Sequence, residues 1–259
     1  PAHSRPRHRV GSGGARVRPQ RDGNVAEPRG RWPLFRGTWR PRAPYVNLTF
    51  AVLAAGAAAL LGVLTWTATT QRYLFFDIPV MRAVQSVDWS VFDPVFAFTL
   101  WLNGPRQQAA GVLVLLLVAA VSLRALPFAL VGSLSGAGYV VITELVRRPR
   151  PSADLVSVPE HVDGFGFPSG HAAFFLTYTA LLVLCVANRH APRWVSVLAA
   201  AVGLALWVLA DVQKMASGAH WPSDILGGTL LAVLSLALAS SIRWLSDPVL
   251  GDRRDPDRQ

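Results

Sequence analysis

Six apolar segments, each close to the length that crosses a lipid bilayer, divide this 259-residue chain. A helix rises about 1.5 Å per residue, so about 20 apolar residues cross the roughly 30 Å of hydrocarbon in a bilayer. Hydrophobic residues make up 52% of the chain, too many for an ordinary soluble domain. We therefore predict an all-α, polytopic membrane bundle of six transmembrane helices, at residues 45–68, two within 109–146 separated by a turn at 124–127, 171–187, 194–210 and 225–242.

The stretch between the first and second segments, residues 71–105, mixes acidic residues with aromatic ones. Its apolar part, 92–102, is too short to cross a bilayer. Tryptophans such as Trp89 and Trp101 favour the membrane–water boundary, so we predict interfacial helices here. The alternative is a re-entrant segment or a seventh span.

The two ends of the chain differ in composition from its middle. Residues 1–44 are rich in Arg, Pro and Gly and are expected to form a disordered basic tail, followed by a membrane domain at 45–245 and a second tail at 246–259. The net charge is +10. Beside a membrane, a basic tail favours anionic lipid head groups over nucleic acid. Cys185 is the only cysteine, which excludes disulfides within the chain and cysteine metal sites.

The distribution of arginine predicts the orientation. With six spans, the tail 1–44, Arg124, the loop 188–193 and the tail 243–259 share one side and hold most of the arginines. The positive-inside rule makes that side cytoplasmic, in a cell-membrane protein that crosses the bilayer several times. The polar motifs described next then all fall on the opposite, extracytoplasmic face.

One of these motifs places His220 four residues before Asp224, on either side of Pro222. Proline fits the first turn of a helix, so the two side chains are expected about one turn apart. Asp224 would then accept the Nδ1–H of His220 and leave Nε2 free as a nucleophile or base. Two alternatives are a loop histidine near a helix-start carboxylate, and a metal site of His171, His220 and Asp224.

A second motif, Pro168-Ser169-Gly170-His171, opens the fourth apolar segment. Ser169 is a favourable helix N-cap, and Gly170 allows an anion to approach the backbone. Free N–H groups at a helix start bind phosphate oxygens, beside which His171 would protonate a leaving oxygen. The alternative is helix capping alone.

Positive side chains are the third candidate feature. Arg147, Arg148 and Arg150 follow the third span, on the side that is poorer in arginine. Guanidinium groups match the geometry of phosphate oxygens, although anchoring to lipid head groups explains such residues equally well. Lys214, six residues before His220, is either another phosphate ligand or an interfacial lysine.

Taken together, these motifs resemble the type-2 phosphatidic acid phosphatase family, lipid phosphate phosphatases related to bacterial acid phosphatases and vanadium haloperoxidases. The family pattern is K-x6-R-P, then P-S-G-H, then S-R-x5-H-x3-D. The corresponding residues here are Thr143-x6-Arg150-Pro151, Pro168-Ser169-Gly170-His171 and Gln213-Lys214-x5-His220-x3-Asp224, and the resemblance covers roughly residues 75–232.

The resemblance implies a phosphatase that needs no metal or other cofactor and acts on a membrane lipid phosphate or diphosphate. His220 would form a phosphohistidine, Asp224 would orient it, and His171 would protonate the leaving group and then activate water. The residues expected to hold the phosphoryl oxygens, with Arg148 as a helper, are Arg150, Ser169, Gly170 and Lys214.

Two positions depart from the family pattern. Thr143 replaces the family's lysine, and Lys214 replaces its arginine. Arg147, one helical turn after Thr143, is a candidate source of the missing charge. Two other functions stay open, a lipid-linked phosphotransferase and a catalytically weakened lipid-binding scaffold. The sequence does not select among polyprenyl diphosphate, phosphatidic acid and related substrates, and it predicts no oligomeric state.

Overall fold

The computed structural model describes residues 46–159 and 162–251, so the predicted basic tail 1–44 lies outside the described residues. The described residues form helices, with a single isolated bridge between Val46 and Ile242 in place of any sheet. The helices are α1 (Leu48–Thr70), α2 (Asp77–Gln85), α3 (Asp93–Trp101), α4 (Pro105–Val121), α5 (Leu126–Gly132), α6 (Leu134–Val146), α7 (Gly170–Leu181), α8 (Asn188–His190), α9 (Arg193–Ala216), α10 (Pro222–Ser241) and α11 (Arg243–Leu250). A π-helical turn, Leu182–Ala187, continues α7 into α8.

Within the described ranges, five helical stretches are long and apolar enough to cross a membrane: Leu48–Thr70, Leu126–Val146, Gly170–Ala187, Arg193–Ala216 and Pro222–Ser241. A sixth results if Ser90–Trp101 and Pro105–Val121, which meet at a bend of 83°, are counted as one span. The predicted all-α, polytopic membrane architecture is confirmed, with five or six spans. The predicted turn near Arg124 is also present, since α4 ends at Val121 and α5 begins at Leu126.

The helices predicted between the first and second spans are α2 and α3. Because α3 and α4 are nearly perpendicular, α3 lies close to the membrane plane if α4 crosses along the membrane normal. The same geometry suits a re-entrant segment. The interfacial placement of α2 and α3 stays a prediction.

Helix α10 forms the centre of the bundle. It packs against α1, α5, α6 and α7, and α7 packs in turn against α9. Of the most apolar stretch of α10, 61% is buried inside the bundle, compared with 17% of the most apolar stretch of α1. Gly228 permits this close packing, because a Cβ there would collide with the Ser169 carbonyl. The central helix therefore holds the start of α7 in place directly.

The outer faces of the bundle are apolar. Leu60 of α1, Leu116 of α4 and Val202 of α9 lie in mid-helix and are at least half exposed. Such a continuous apolar surface is unfavourable in water and favourable in hydrocarbon. The exposed aliphatic side chains therefore mark the lipid-facing surface.

The start of α1 and the end of α10 meet at one end of the bundle. The Asn47 backbone N–H donates to the Ser241 carbonyl at 2.7 Å, which joins the start of α1 to the end of α10. Helix α11 follows, and Leu245 and Val249 pack into the core. The predicted domain boundary at 245 is therefore wrong, because residues 246–250 are helical and partly buried.

The predicted motifs gather at the other end of α10. The Ser169 N–H donates to the Asp224 carbonyl at 2.8 Å, and the Gly166 N–H donates to the Arg148 carbonyl at 2.8 Å. The loop after α6, the start of α7 and the start of α10 are thereby joined. The start of α7 and the start of α10, which the Ser169–Asp224 bond joins, are 55 residues apart in the chain.

Candidate active site

Five predicted site residues line one cavity of about 350 Å³, and the four with ionisable side chains are Arg150, His171, Lys214 and His220. They come from the loop after α6, the start of α7, the end of α9 and the loop before α10. Gly170 lines the same cavity. The two histidines therefore face a common space, as a two-histidine phosphoryl-transfer mechanism requires.

His220 is held by a backbone group. Its Nδ1 lies 2.8 Å from the Gly166 carbonyl oxygen, to which it donates, and its Nε2 lies 3.3 Å from Nη1 of Arg150. Asp224 Oδ2 is 3.7 Å from Nδ1, too far for a hydrogen bond. The sequence-based expectation that Asp224 accepts the Nδ1–H is wrong, because the Gly166 carbonyl occupies that position.

Asp224 has other partners at the start of α10. Its Oδ2 accepts the Trp221 backbone N–H at 2.9 Å, and its Oδ1 accepts Nη1 of Arg148 at 2.7 Å. The side chain is fully buried. Its negative charge still lies close to His220, so it can stabilise positive charge that develops on the imidazole ring.

The surroundings of His220 favour its neutral form. Burial lowers the pKa of His220 because charging the ring would cost its hydration, and the nearby Arg150 and Lys214 cations act in the same direction. Asp224 opposes this shift only in part. At neutral pH the ring is thus uncharged, with the Nε2 lone pair directed at the cavity.

His171 is positioned by a different part of the chain. The backbone of Thr99, in α3, lies beside the ring, and the ring packs against Phe175 with centroids 6.3 Å apart. Among the described residues, Nε2 of His171 is buried and has no hydrogen-bond partner. A buried polar atom of this kind requires a partner, and a substrate oxygen in the cavity would supply one.

Ser169 caps α7 as predicted, since its Oγ accepts the Ala172 N–H at 3.4 Å. The side chain is fully buried and does not line the cavity, so its direct role is capping. Gly170 faces the cavity. A Cβ at Gly170 would lie 3.1 Å from the Tyr139 ring. The helix N-terminus thus reaches the cavity through Gly170 and His171.

Arg150 and Lys214 bring positive charge to the cavity. Nη1 of Arg150 donates to the Ala219 carbonyl at 2.7 Å, which fixes the guanidinium beside His220. Lys214 is 97% buried and lines the same space, and its carbonyl accepts the Ala219 N–H at 2.9 Å. Both residues line the space that an anion would occupy, and their role as phosphate ligands stays a prediction.

Three predicted contributors lie elsewhere. Arg148 is buried in contact with Asp77 and Asp224 and does not line the cavity, so its predicted role as a phosphate ligand is wrong. The Arg147 side chain is 65% exposed and pairs with Glu144 at 3.2 Å. Thr143 also lies outside the cavity lining, and its hydroxyl is buried with no hydrogen-bond partner among the described residues.

Sequence reasoning missed three contributors: Asp77, Thr99 and Gly166. Gly166 acts through its carbonyl oxygen, which leaves no signal in the sequence. Thr99 also contributes a backbone group, and Asp77 resembles any other acidic residue at a helix start. The cavity lining also contains polar residues that were not singled out, namely Asn103, Gln107, Gln108, Ser135 and Tyr139.

The alternative of a metal site lacks a suitable ligand set in the described part of the chain. No group of three or more His, Cys, Asp or Glu side chains there is arranged to hold an ion. Both oxygens of Asp224 are engaged by Arg148 and Trp221. The cavity instead presents two histidines together with the cationic side chains of Arg150 and Lys214.

The fold is that of a multi-pass membrane protein, and the site places the residues of its motifs around one cavity. Residues 124–247, just under half of the chain, match the model of the PAP2 superfamily. The predicted family resemblance is thereby confirmed, and all three motifs lie within the matched residues.

Curated relatives of this segment carry the name phosphatidylglycerophosphatase B. The protein from Escherichia coli (strain K12) is 27% identical over 120 residues, 46% of this chain and 44% of that relative. The protein from Haemophilus influenzae is 37% identical over 84 residues, 31% of this chain and 33% of that relative. The chain thus matches less than half the length of these relatives.

One solved structure is also similar. It is a crystal structure described as the first transmembrane PAP2 type phosphatidylglycerolphosphate phosphatase from Bacillus subtilis. The TM-score is 0.48 and the sequence identity 19%, over 74% of this chain and 90% of the other.

Proposed function

We propose that this protein hydrolyses the phosphate monoester of a membrane lipid through a phosphohistidine on His220. The observation that supports this most strongly is the shared cavity, in which His220 Nε2 lies 3.3 Å from Arg150 while His171 presents an unpartnered Nε2. A nucleophile, a proton donor and an anion-binding cation thereby face one space. The expected substrates are phosphatidylglycerophosphate, as in the names of the relatives, and related lipid phosphates.

In the proposed reaction, the phosphoryl oxygens bind to Arg150, Lys214 and the backbone N–H groups at the start of α7. The lone pair on Nε2 of His220 attacks phosphorus, and the bond from phosphorus to the lipid oxygen breaks. His171, in its protonated form, donates its proton to that oxygen, which leaves as the lipid alcohol.

The second half of the proposed reaction regenerates the enzyme. His171, now neutral, accepts a proton from water as the water oxygen attacks phosphorus. The bond between phosphorus and Nε2 breaks, inorganic phosphate forms, and His220 returns to its neutral state. Asp224 stabilises the positive charge on the His220 ring while the phosphoryl group is attached.

The cavity also supports a lipid as the substrate. Beyond the histidines it continues along α4, α6 and α7, where Val140 and Phe174 join the polar side chains Gln107 and Tyr139. A lipid offers a polar phosphate head and an apolar body, and these match the two parts of the lining. A small soluble phosphate would leave the apolar part unused.

We also propose that the site faces the extracytoplasmic side of the cell membrane. The chain segments at 46 and 242 meet at the end of α10 that is remote from the site. Most arginines precede or follow those segments, and positively charged flanks favour the cytoplasm. Alkaline phosphatase fusions, or protease cleavage sites, placed at each end of the bundle would test this orientation.

The function is tested by phosphate release from the purified full-length protein in detergent. Phosphatidylglycerophosphate, phosphatidic acid and polyprenyl diphosphate are compared, and His220→Ala is the control. Release that depends on His220 supports hydrolysis, whereas transfer of label to an added acceptor supports a phosphotransferase. Lipid binding with neither activity supports a scaffold.

Metal independence is tested separately. We expect no loss of activity when a chelator is added. Loss of activity with the chelator, followed by its restoration with zinc, would contradict metal independence.

A further inference from the structure

Four fully buried polar side chains form a connected network behind the candidate active site: Asp77, Arg148, Ser223 and Asp224. At most 1% of the side chain of Arg148, Asp77 or Asp224 is exposed. None of the four lines the cavity. The network therefore acts on a bound substrate only through the residues that do line the cavity.

Arg148 links the two carboxylates. Its Nη1 donates to Asp224 Oδ1 at 2.7 Å, and its Nη2 donates to Asp77 Oδ2 at 3.1 Å. Its Nε donates to the Arg72 carbonyl at 3.2 Å. With these partners and the hydroxyl of Ser223 at 2.7 Å, the guanidinium is fixed in one orientation.

Asp77 receives more hydrogen bonds than a simple ion pair requires. Its Oδ1 accepts the Ser223 backbone N–H at 2.8 Å, and its Oδ2 accepts the Ser223 hydroxyl at 2.7 Å and the Leu74 N–H at 2.7 Å. Asp77 belongs to α2, outside the segment 124–247 that matches the family model. It therefore ties α2 to the first turn of α10, next to His220.

We propose that Asp77 is a positioning residue for the reaction, acting through Arg148 on Asp224 and so on His220. This inference rests on the proposed function. Attack on phosphorus places positive charge on the His220 ring, and Asp224 Oδ2 lies 3.7 Å from its Nδ1. The Asp224 carboxylate keeps that position because Arg148 holds its other oxygen, and Asp77 keeps Arg148 in place.

The test compares Asp77→Asn with Asp88→Asn in the full-length protein. Asp88 is exposed and is hydrogen-bonded locally to Ser90, whose N–H lies 3.0 Å from its Oδ1, so its substitution removes the same charge without touching the network. For Asp77→Asn we expect kcat to fall about 10–100-fold, the range typical of partners that orient a ligand or catalytic group. KM should stay within about threefold, because the phosphate ligands are untouched. Asp88→Asn should match the wild type.

A double-mutant cycle separates positioning from general stability. If Asp77 acts through Asp224, Asp77→Asn should cause little further loss of kcat in an Asp224→Asn background. Additive losses, or a wild-type kcat for Asp77→Asn, would overturn the proposal. If Asp77→Asn does not fold, Ser223→Ala removes two hydrogen bonds from the same network, one to Asp77 and one from Arg148, and should lower kcat with KM unchanged.

A second readout does not depend on turnover. The rate at which diethyl pyrocarbonate modifies His220, followed by mass spectrometry, should differ from the wild type in Asp77→Asn and not in Asp88→Asn. Equal rates in both variants would overturn the positioning role. An inactive wild type would contradict the proposed function, while this comparison would still decide the role of Asp77.

Discussion

Nε2 of His220 lies 3.3 Å from Nη1 of Arg150, while Nδ1 of the same ring binds the Gly166 carbonyl at 2.8 Å. With the proton on Nδ1, the lone pair on Nε2 accepts a hydrogen bond from the Arg150 guanidinium, which the Ala219 carbonyl holds in place. An anion bound by Arg150 would thus sit in front of the nucleophilic nitrogen. This relationship makes the roles of the two histidines separately testable.

The effect of substituting His171 should depend on the leaving group of the substrate, whereas the effect of substituting His220 should not. His220→Ala should abolish hydrolysis of every substrate because the nucleophile is lost. His171→Ala should slow hydrolysis of a lipid phosphate about 10²–10⁴-fold, since an alkoxide needs protonation to leave. The loss should be much smaller with p-nitrophenyl phosphate, whose leaving group needs no proton. Equal losses on both substrates would contradict the assignment of His171 as the acid.

The pH dependence should reflect the lowered pKa of His220. Burial and the neighbouring cations lower this pKa, so protonation removes the nucleophile only well below the ordinary histidine value of about 6.5. With p-nitrophenyl phosphate, kcat/KM should remain high as the pH falls through 6.5 and decline only at lower pH. Arg150→Gln removes a nearby positive charge and should move that decline towards higher pH, whatever its effect on the maximal rate.

Arg147 and Arg150 offer a matched pair of substitutions. Arg150→Ala should lower kcat/KM about 10²–10³-fold because it removes a cation from the cavity. Arg147→Ala should leave kcat/KM close to the wild type, since this side chain is exposed and its ion pair with Glu144 lies on the surface. A large loss in Arg147→Ala would restore the idea that Arg147 compensates for Thr143.

Gly166 should tolerate no side chain. A Cβ at this position would lie 2.9 Å from Oδ2 of Asp224, closer than ordinary contacts allow. Gly166→Ala should therefore displace the carbonyl that holds His220, lowering kcat with an overpacking cost of about 1–3 kcal/mol in stability. The control is Gly62→Ala in α1, where nothing lies within 4 Å of the added Cβ and activity should be unchanged. Normal turnover by Gly166→Ala would contradict the expected displacement of the carbonyl.

Periodic and local features of the fold could be predicted from the sequence. Apolar length alone located the fourth span, predicted at 171–187 and found at Gly170–Ala187. The cap of α7 by Ser169 followed from the chemistry of a hydroxyl at a helix start. The second span was less regular, because α4 has only 17 residues and meets α3 at a sharp bend. The helix α11 was missed because its burial depends on contacts with distant parts of the chain.

The partners of the site residues could not be predicted in the same way. His220 and Asp224 are one helical turn apart, which made a direct hydrogen bond between them the natural expectation. Folding instead places the Gly166 carbonyl, 54 residues away, at Nδ1 of His220. Arg148 and Arg150 are two residues apart and chemically identical, yet one is buried against two carboxylates and the other faces the cavity.

The sequence by itself determined the membrane-length helices, the motif residues and the end of the bundle at which they gather, because length, hydropathy and the number of crossings are properties of the chain alone. Only the tertiary structure decided which atoms meet. Hydrogen bonds and ion pairs depend on distances of tenths of an ångström between residues far apart in the chain. Those distances arise when α2, α7 and α10 pack together, and no local pattern records them.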